Sequence, residues 1–465
     1  MKKKFSISAV FILQLLFFSC ANQIPPSGGA DDKIPPKIIY VFPEPGRLNF
    51  KGDAVTFRFD EYVDRRSFEE SFYISPKPKG EINFEWSGKE VEVRFEGKFA
   101  NDRTYVITVG KELKDVRGSN STGSSYSIAF STGGKLDKGK ISGRVYADKY
   151  DRIKILAYIR NVKTGTEINP AIQTADYITQ TDDNGYYIFT NLPSEEFELF
   201  AVTDEDRNNL FSKDFESISI LKSSIKIQDD SALYSDANFL FRNPVMNRSG
   251  IDFLKELEAD TSGYIFSNIF GKDEVIPCDY RFYFYFKNNQ YTKPEIINNF
   301  SITDSVKGKV YKTIFNWIND SLLEVFSNEK FSYSSELQIR INLTGRMKIL
   351  NYFKKLKTAA KNSSGIVSGK ILKEDIHDFP VYIFLINKDN KFISYSRKLS
   401  DSADFRFDEV YEGAYIVFSF ADENDNGVYD RGSVEPFLRP EVFRIYDKEI
   451  KVKSGWNTDN IFIEY

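Results

Sequence analysis

Residues 55–59 read Val-Thr-Phe-Arg-Phe, residues 91–95 Val-Glu-Val-Arg-Phe and residues 105–109 Tyr-Val-Ile-Thr-Val. In each stretch apolar side chains recur at every second position, the period of a strand that buries one face. Turn-forming residues separate the stretches, and helical patterns are few. Short strands at this spacing predict an all-β protein built of sandwiches.

From about Lys140 a second kind of block begins. Ile141-Ser-Gly-Arg-Val145 and Ile155-Leu-Ala-Tyr-Ile159 read as strands, and Asp183-Asn-Gly185 turns into Tyr186-Tyr-Ile-Phe189. Asn191-Leu-Pro-Ser and the strand Phe197-Glu-Leu-Phe-Ala-Val202 follow. The block recurs: Val367–Ile371 matches Ile141–Val145, and Val381–Leu385 matches Ile155–Ile159, both 226 residues on. Phe407, Tyr415, Asp422 and Tyr429 match Phe189, Phe197, Asp204 and Phe211 at 218. The region between the copies echoes the upstream one. Tyr285 and Phe300 follow Phe57 and Phe72 by 228, Trp317 and Phe326 follow Trp86 and Phe95 by 231, and Leu337 follows Tyr105 by 232. The order is therefore sandwich, smaller β domain, sandwich, smaller β domain, a tandem duplication rather than a short-period solenoid.

Composition supports this reading. Aromatic residues make up 15% of the 465-residue chain and charged residues 28%, which fits aromatic-rich β structure and not disorder. The formal charge is −4. Without a basic field, nucleic acid is not an expected partner. One His and two Cys exclude most chemistry that needs several of either.

The first 19 residues pair Lys2-Lys-Lys4 with an apolar run from Ala9 to Phe18, the pattern of a signal peptide too short to span a bilayer. Cys20 follows Ser19 and resembles the lipidated cysteine of a bacterial lipobox, although Phe17-Phe18 replaces the usual Leu-Ala pair. The alternative is ordinary cleavage that leaves Cys20 free. Ala21 in place of Asp at the next position implies the outer membrane under the bacterial sorting rule, with a palmitate-type acyl anchor. Residues 20–36, rich in Pro, Gly and Asp, read as a flexible tether. With Cys20 lipidated, Cys278 stands alone, no disulfide framework exists, and its expected role is that of a small buried hydrophobe.

Cys20-Ala-Asn-Gln, Pro25-Pro-Ser-Gly-Gly29, Thr56-Phe-Arg-Phe-Asp-Glu-Tyr-Val63, Phe72-Tyr-Ile-Ser-Pro76 and Phe130-Ser-Thr-Gly133 resemble the bacterial Ig-like domain of Bacteroidetes lipoproteins. The blocks with Asp183-Asn-Gly185 and Ser368-Gly369 resemble transthyretin-like, carboxypeptidase-regulatory-like modules. The resemblance implies an Ig-like sandwich at 37–134, a transthyretin-like domain at 138–242, a second, divergent Ig-like sandwich at 250–362 and a second transthyretin-like domain at 366–465. It implies a non-enzymatic, outer-membrane lipoprotein and carries over no catalytic residues.

The sharpest chemical candidate is the loop Asp422-Glu-Asn-Asp-Asn-Gly-Val-Tyr-Asp430. Asp422, Asn424, Asn426, the Val428 carbonyl and Asp430 fall where a calcium loop places its oxygens, with Gly427 at the bend. The bidentate Glu expected three residues after Asp430 is absent, and a turn whose Asn and Asp side chains cap their own backbone fits the same residues. The equivalent loop, Asp204-Glu-Asp-Arg-Asn-Asn209, lacks the Gly and contains Arg207, so no metal is expected there.

Gly134-Lys-Leu-Asp-Lys-Gly-Lys140 fits the first places of a phosphate-binding loop, but Ile141 replaces Ser/Thr and a strand follows, so it reads as a linker. His377 has no nucleophile elbow to serve. Asp-Ser-aliphatic tripeptides at Ser231, Ser305, Ser321 and Ser402 resemble the O-glycosylation sequon of exported Bacteroidetes proteins, which implies candidate sites at these four serines. Alternating Phe and Tyr serve a core or, where exposed, a carbohydrate platform. Three readings follow: a lipid-anchored scaffold or adhesion module that requires no cofactor and binds an envelope protein or surface glycan; a glycan- or peptide-binding lipoprotein of an uptake system; and, third, a carboxylate-dependent hydrolase.

Overall fold

The alternation at Val55–Phe59 becomes the strand Ala54–Phe59, with Val55, Phe57 and Phe59 buried and Arg58 exposed. The computed structural model describes residues 31–160, 167–228, 232–241, 243–245, 251–270, 274–287, 291–344, 349–372, 379–400 and 403–465. Cys20, Ser231, His377 and Ser402 lie outside them. The chain is nearly all β and divides between Leu136 and Asp137 into two compact units. Among the described residues no helix is long and apolar enough to cross a membrane.

The first unit is a sandwich of two antiparallel sheets. One orders Ile38–Phe42, Ala54–Phe59, Glu90–Phe95 and Ile82–Ser87; the other orders Phe72–Ser75, Thr104–Val109 and Tyr126–Ser131. Between two strands the chain forms a seven-residue helix, Arg65–Ser71, too short to leave a periodic signature. Asp64 caps it by accepting the Ser67 N–H at 2.7 Å. The cap sets the direction in which Phe68 enters the core, where it is fully buried against Phe57, Phe59, Phe84 and Trp86.

The second unit holds three sandwiches. The smaller one near its start has sheets Tyr177–Gln180, Ile153–Ile159, Glu196–Thr203, Ile218–Ile220 and Tyr186–Leu192, Gly139–Tyr146, Leu233–Tyr234. The one at its end repeats this order with Ser394–Leu399, Val381–Asn387, Gly413–Ala421, Phe443–Ile445 and Asp404–Tyr411, Ser364–Leu372, Asn457–Glu464. In both, the last strand runs parallel to the first. The larger sandwich between them repeats the strand order of the first unit, with extra edge strands at Glu258–Ala259, Val275–Ile276 and Lys309–Val310.

Pairing registers align the copies and correct three of the expected matches. Phe189 pairs with Ile141 and Phe407 with Val367, so the opening strands of the smaller sandwiches correspond as read from the sequence. Thr203 pairs with Ile153, however, while its counterpart Ala421 pairs with Val381. Val381 therefore corresponds to Ile153, not Ile155. A two-residue shift keeps the same face inward, so the hydrophobic pattern does not reveal it. In the larger sandwiches Trp86 and Phe57 both pair with Val91, and Trp317 and Phe284 both pair with Leu323. Phe57 thus corresponds to Phe284, not Tyr285. Phe95 and Ser327 pair with Ile82 and Thr313, so Ser327, not Phe326, takes the place of Phe95. One-residue slips reverse the face, and Phe284 is buried where Tyr285 is half-buried.

The two smaller sandwiches cover each other's outer sheet faces. Leu156, Tyr158, Phe200, Val202 and Ile220 of the first pack with Val434 and Phe437 of the second. Phe418, Phe420 and Tyr429 of the second pack with Leu240 and Tyr146 of the first. This explains why Ile153–Ile159 is buried on both faces instead of alternating.

Candidate functional site

The loop after each second-copy and first-copy central strand is built on one plan. Asp204 N–H donates to the Arg152 carbonyl and Asp422 N–H to the Pro380 carbonyl, both at 2.9 Å, which starts each loop at the same point of the sheet. Arg207 and Asn209 adopt left-handed φ values of 59–63°, as do Asp425 at 59° and Gly427 at 74°. Asn tolerates this region, so the first loop reproduces the bend with Asn209 where the second has Gly427.

A glutamate beyond the end of each loop braces it. Glu216 accepts the Glu205 and Ser212 N–H groups at 2.7 and 2.8 Å. Glu441 accepts the equivalent Glu423 and Asp430 N–H groups at 2.8 and 3.0 Å. Both are buried, and burial pushes the Glu441 carboxyl above its usual range. Neither was a candidate from the sequence, since each is separated from its loop by a segment of different length. That segment in the second copy contains an extra hairpin, Ser433–Val434 paired with Phe437–Leu438.

The loops differ in how their oxygens are satisfied. In the second, Asp422 accepts N–H groups on both oxygens, from Asn426 at 3.1 Å and Gly427 at 2.8 Å. The Asn424 and Asn426 side-chain amides both donate to Asp430, at 2.6 and 3.0 Å. Asn424 and Asn426 Oδ1 accept the N–H groups of Asn426 and Val428, and the Val428 side chain is exposed. The five predicted ligand positions are thus brought together in a turn whose side chains close on one another and on the backbone.

In the first loop Asp206 stands where Asn424 does and Ser212 where Asp430 does, so the charge moves across the hydrogen bond. Asp206 accepts the Asn208 amide at 2.8 Å and the Ser212 hydroxyl at 3.2 Å. Asp204 accepts the Asn209 N–H at 3.1 Å on Oδ1, while its Oδ2 is buried with no hydrogen-bond partner. Asn209 Oδ1 is likewise buried and unpartnered. One carboxylate oxygen from each of Asp204, Asp206 and Glu216 lies within 4.8 Å of the others. Burial, opposed by the Asn209 N–H and by Lys154 and reinforced by Glu216 and Asp206, pushes the Asp204 carboxyl up to about 6.

A second acidic group sits in the first unit, where Asp32, Glu61 and Asp115 bring carboxylate oxygens within 4.8 Å. Partial burial and then Asp32, Asp115 and Asp60 raise the Glu61 carboxyl. Both Asp115 oxygens are engaged by Gly118 and Asn120, so this carboxylate organises a turn.

The remaining candidates are placed as follows. Cys278 is buried with Sγ 3.8 Å from the Ala359 carbonyl, and burial pushes its thiol up to about 11. Ser305 is exposed and donates to Glu336, whereas the acid before it, Asp304, is buried in its turn. Ser321 is half-buried beside the exposed Asp320. Residues 134–140 lead into the strand Gly139–Tyr146, with no helix to cradle a phosphate. Most aromatics face cores, but Tyr62, Trp456 and Phe462 are exposed.

The model of the bacterial Ig-like domain matches residues 32–132. That match accounts for the Ig-like sandwich of the first unit. No curated protein sequence matches the chain. Among solved structures, an L,D-transpeptidase from Mycobacterium smegmatis is 18% identical over 34% of this chain and 76% of its own, with a TM-score of 0.17. The Bacillus anthracis TIE protein is 10% identical over 94% and 76%, with a TM-score of 0.16. BcpA, the major pilin subunit of Bacillus cereus, is 11% identical over 71% and 99%, also at 0.16. At such scores these likenesses carry no argument about this chain.

Proposed function

We propose that this chain is a non-enzymatic envelope lipoprotein that presents rigid β-sandwich surfaces to a protein or glycan partner. Cys20 carries the acyl anchor, residues 20–36 give reach, and the described domains, of Ig-like and transthyretin-like kind, form the display. The observation that carries this reading is the mutual covering of the two smaller sandwiches, cross-linked by Arg439–Glu198 and Lys222–Glu423. Two modules that bury each other's sheet faces make a stiff body, which suits presentation more than closure around a substrate. Exposed Ser305 adds a site for surface glycosylation.

Metabolic labelling with a palmitate analogue tests the anchor. The wild-type chain is expected to take up label and sediment with the outer membrane, and Cys20→Ser to lose both. An unlabelled wild-type chain recovered in the soluble fraction would overturn the reading. Protease shaving of intact cells then separates surface adhesion from a periplasmic scaffold.

A second reading, capture of a glycan or peptide for uptake, draws on a cleft of about 1110 Å³ lined by the two smaller sandwiches and by Phe253, Lys255 and Glu256. Tyr146, Tyr150 and Tyr429 supply rings there, and Arg144, Arg431 and Lys388 supply positive charge. Saturable binding of an anionic oligosaccharide, lost in Tyr150→Ala, is its expected signature.

A further inference from the structure

We propose that the loop Asp204–Glu216, not the more motif-like Asp422–Asp430, binds a hard divalent cation of the calcium class, with Asp204, Asp206 and Glu216 as carboxylate ligands. The first observation is the convergence of three carboxylate oxygens within 4.8 Å. The second is independent of that cluster's charge. Asp204 is 1% exposed, and its Oδ2 has no hydrogen-bond partner. A buried carboxylate oxygen without a donor is costly, and a cation is the group that satisfies it. Asn209 Oδ1, also buried and unpartnered, is a neutral oxygen of the kind calcium adds to its carboxylates.

The second copy shows what a self-sufficient version of this loop looks like. Its Asp422 uses both oxygens on backbone N–H groups, and Asn424 and Asn426 turn their amides onto Asp430. Asp206 in place of Asn424 removes a donor from the loop and, with Ser212 in place of Asp430, moves a carboxylate to the other side of the hydrogen bond. Glu216 retains a free lone pair on each oxygen beyond the two N–H bonds it accepts. Lys154, buried on the neighbouring strand, donates to Gln180 at 2.6 Å and also attracts Asp204. All the ligands come from the single segment Asp204–Glu216, so affinity belongs in the range of extracellular modules, roughly 0.1–1 mM.

The test is calorimetric titration of calcium, and separately magnesium, into the chelator-treated mature chain, followed by thermal melts. Asp206→Asn is the principal variant: Asp206 is exposed, and Asn occupies the equivalent place in the second copy. Asp204→Asn and Asp422→Asn complete the set. Calcium is expected to bind with a single equivalent and to raise the melting temperature by roughly 2–4 °C at saturation. Asp206→Asn is expected to keep the metal-free melting temperature and weaken binding by about tenfold or more, and Asp422→Asn to bind as wild type. Absence of heat and of a melting shift at about 10 mM calcium overturns the proposal. So does a wild-type titration by Asp206→Asn, or loss of binding confined to Asp422→Asn. None of these outcomes depends on the lipid anchor.

Discussion

Arg439 and Glu198 form a two-pronged ion pair across the two smaller sandwiches, with Nη2 2.7 Å from Oε2 and Nη1 on Oε1. Glu198 is 3% exposed and lies on the strand Glu196–Thr203, whereas Arg439 belongs to the hairpin segment that only the second copy possesses. Nη1 also donates to the Leu221 carbonyl at 3.1 Å. The copies are thus docked by residues that the duplication did not itself supply.

Removing Arg439 leaves a buried carboxylate with Arg160, 3.9 Å away, as its cationic neighbour among the described residues. Arg439→Ala is expected to destabilise the second unit by about 2 kcal/mol, less than a fully buried pair because the guanidinium keeps some water contact. The double variant with Glu198→Gln should recover part of this loss, giving a coupling energy of about 1–2 kcal/mol in urea unfolding. Additivity within about 0.3 kcal/mol would show that the pair does not hold the copies.

Phe68 fixes the first unit in a comparable way. Its ring is fully buried, 5.5 Å from Trp86 and 5.6 Å from both Phe57 and Phe59. Phe68→Ala is expected to cost about 3–5 kcal/mol through lost burial and the cavity left behind. Denaturant unfolding followed by Trp86 fluorescence, in a background with Trp317 and Trp456 replaced by Phe, reads this directly. A loss under about 1 kcal/mol would mean that the helix does not anchor the core.

How legible these features were depends on where their signals lie. Val55–Phe59 alternates cleanly because one face meets a core and the other meets water. Phe282–Phe286 does not, since Tyr283 is buried on the face opposite Phe282 and Phe284, and an unbroken aromatic run hides its own parity. That is the physical origin of the slip at Tyr285. Ile153–Ile159 does not alternate, and even its Lys154 is buried, because a partner hairpin, remote in sequence, covers its second face. The calcium motif at Asp422–Asp430 was readable as a spacing, but spacing is blind to which oxygens the backbone already occupies. Glu216 and Glu441 were invisible because bracing residues carry no local pattern.

Cys278 gives a chemical readout of native packing. Burial first, then Asp279, raises its thiol to about 11 from an ordinary value near 9. The native state therefore holds a proton that the unfolded chain releases between pH 9 and pH 11, and this group's stabilisation is lost as pH rises through that window. At pH 8 the thiolate is scarce, so a disulfide reagent should react roughly a hundredfold more slowly with the folded Cys20→Ser chain than with the unfolded one. Equal rates would contradict the buried position.

The docking hairpin yields the most direct architectural test. Between Asp430 and Glu441 the second copy carries Ser433–Val434 and Phe437–Leu438, where the first copy passes from Ser212 to Glu216 without a strand. Phe437 meets Phe200 at 6.5 Å between ring centroids, and Val434 joins the same apolar face. Shortening 432–439 to the length of the first-copy segment leaves the Glu441 brace a path to its loop but strips this cover. Leu156, Tyr158, Phe200 and Val202 would then face water as one contiguous patch. The shortened chain is expected to keep its far-ultraviolet β spectrum, bind an apolar dye that the wild type does not, and self-associate with rising concentration. Loss of the β spectrum would show instead that the second copy needs the hairpin to fold, whereas an unchanged dye response would show that the first copy's sheet is covered by something other than Val434 and Phe437.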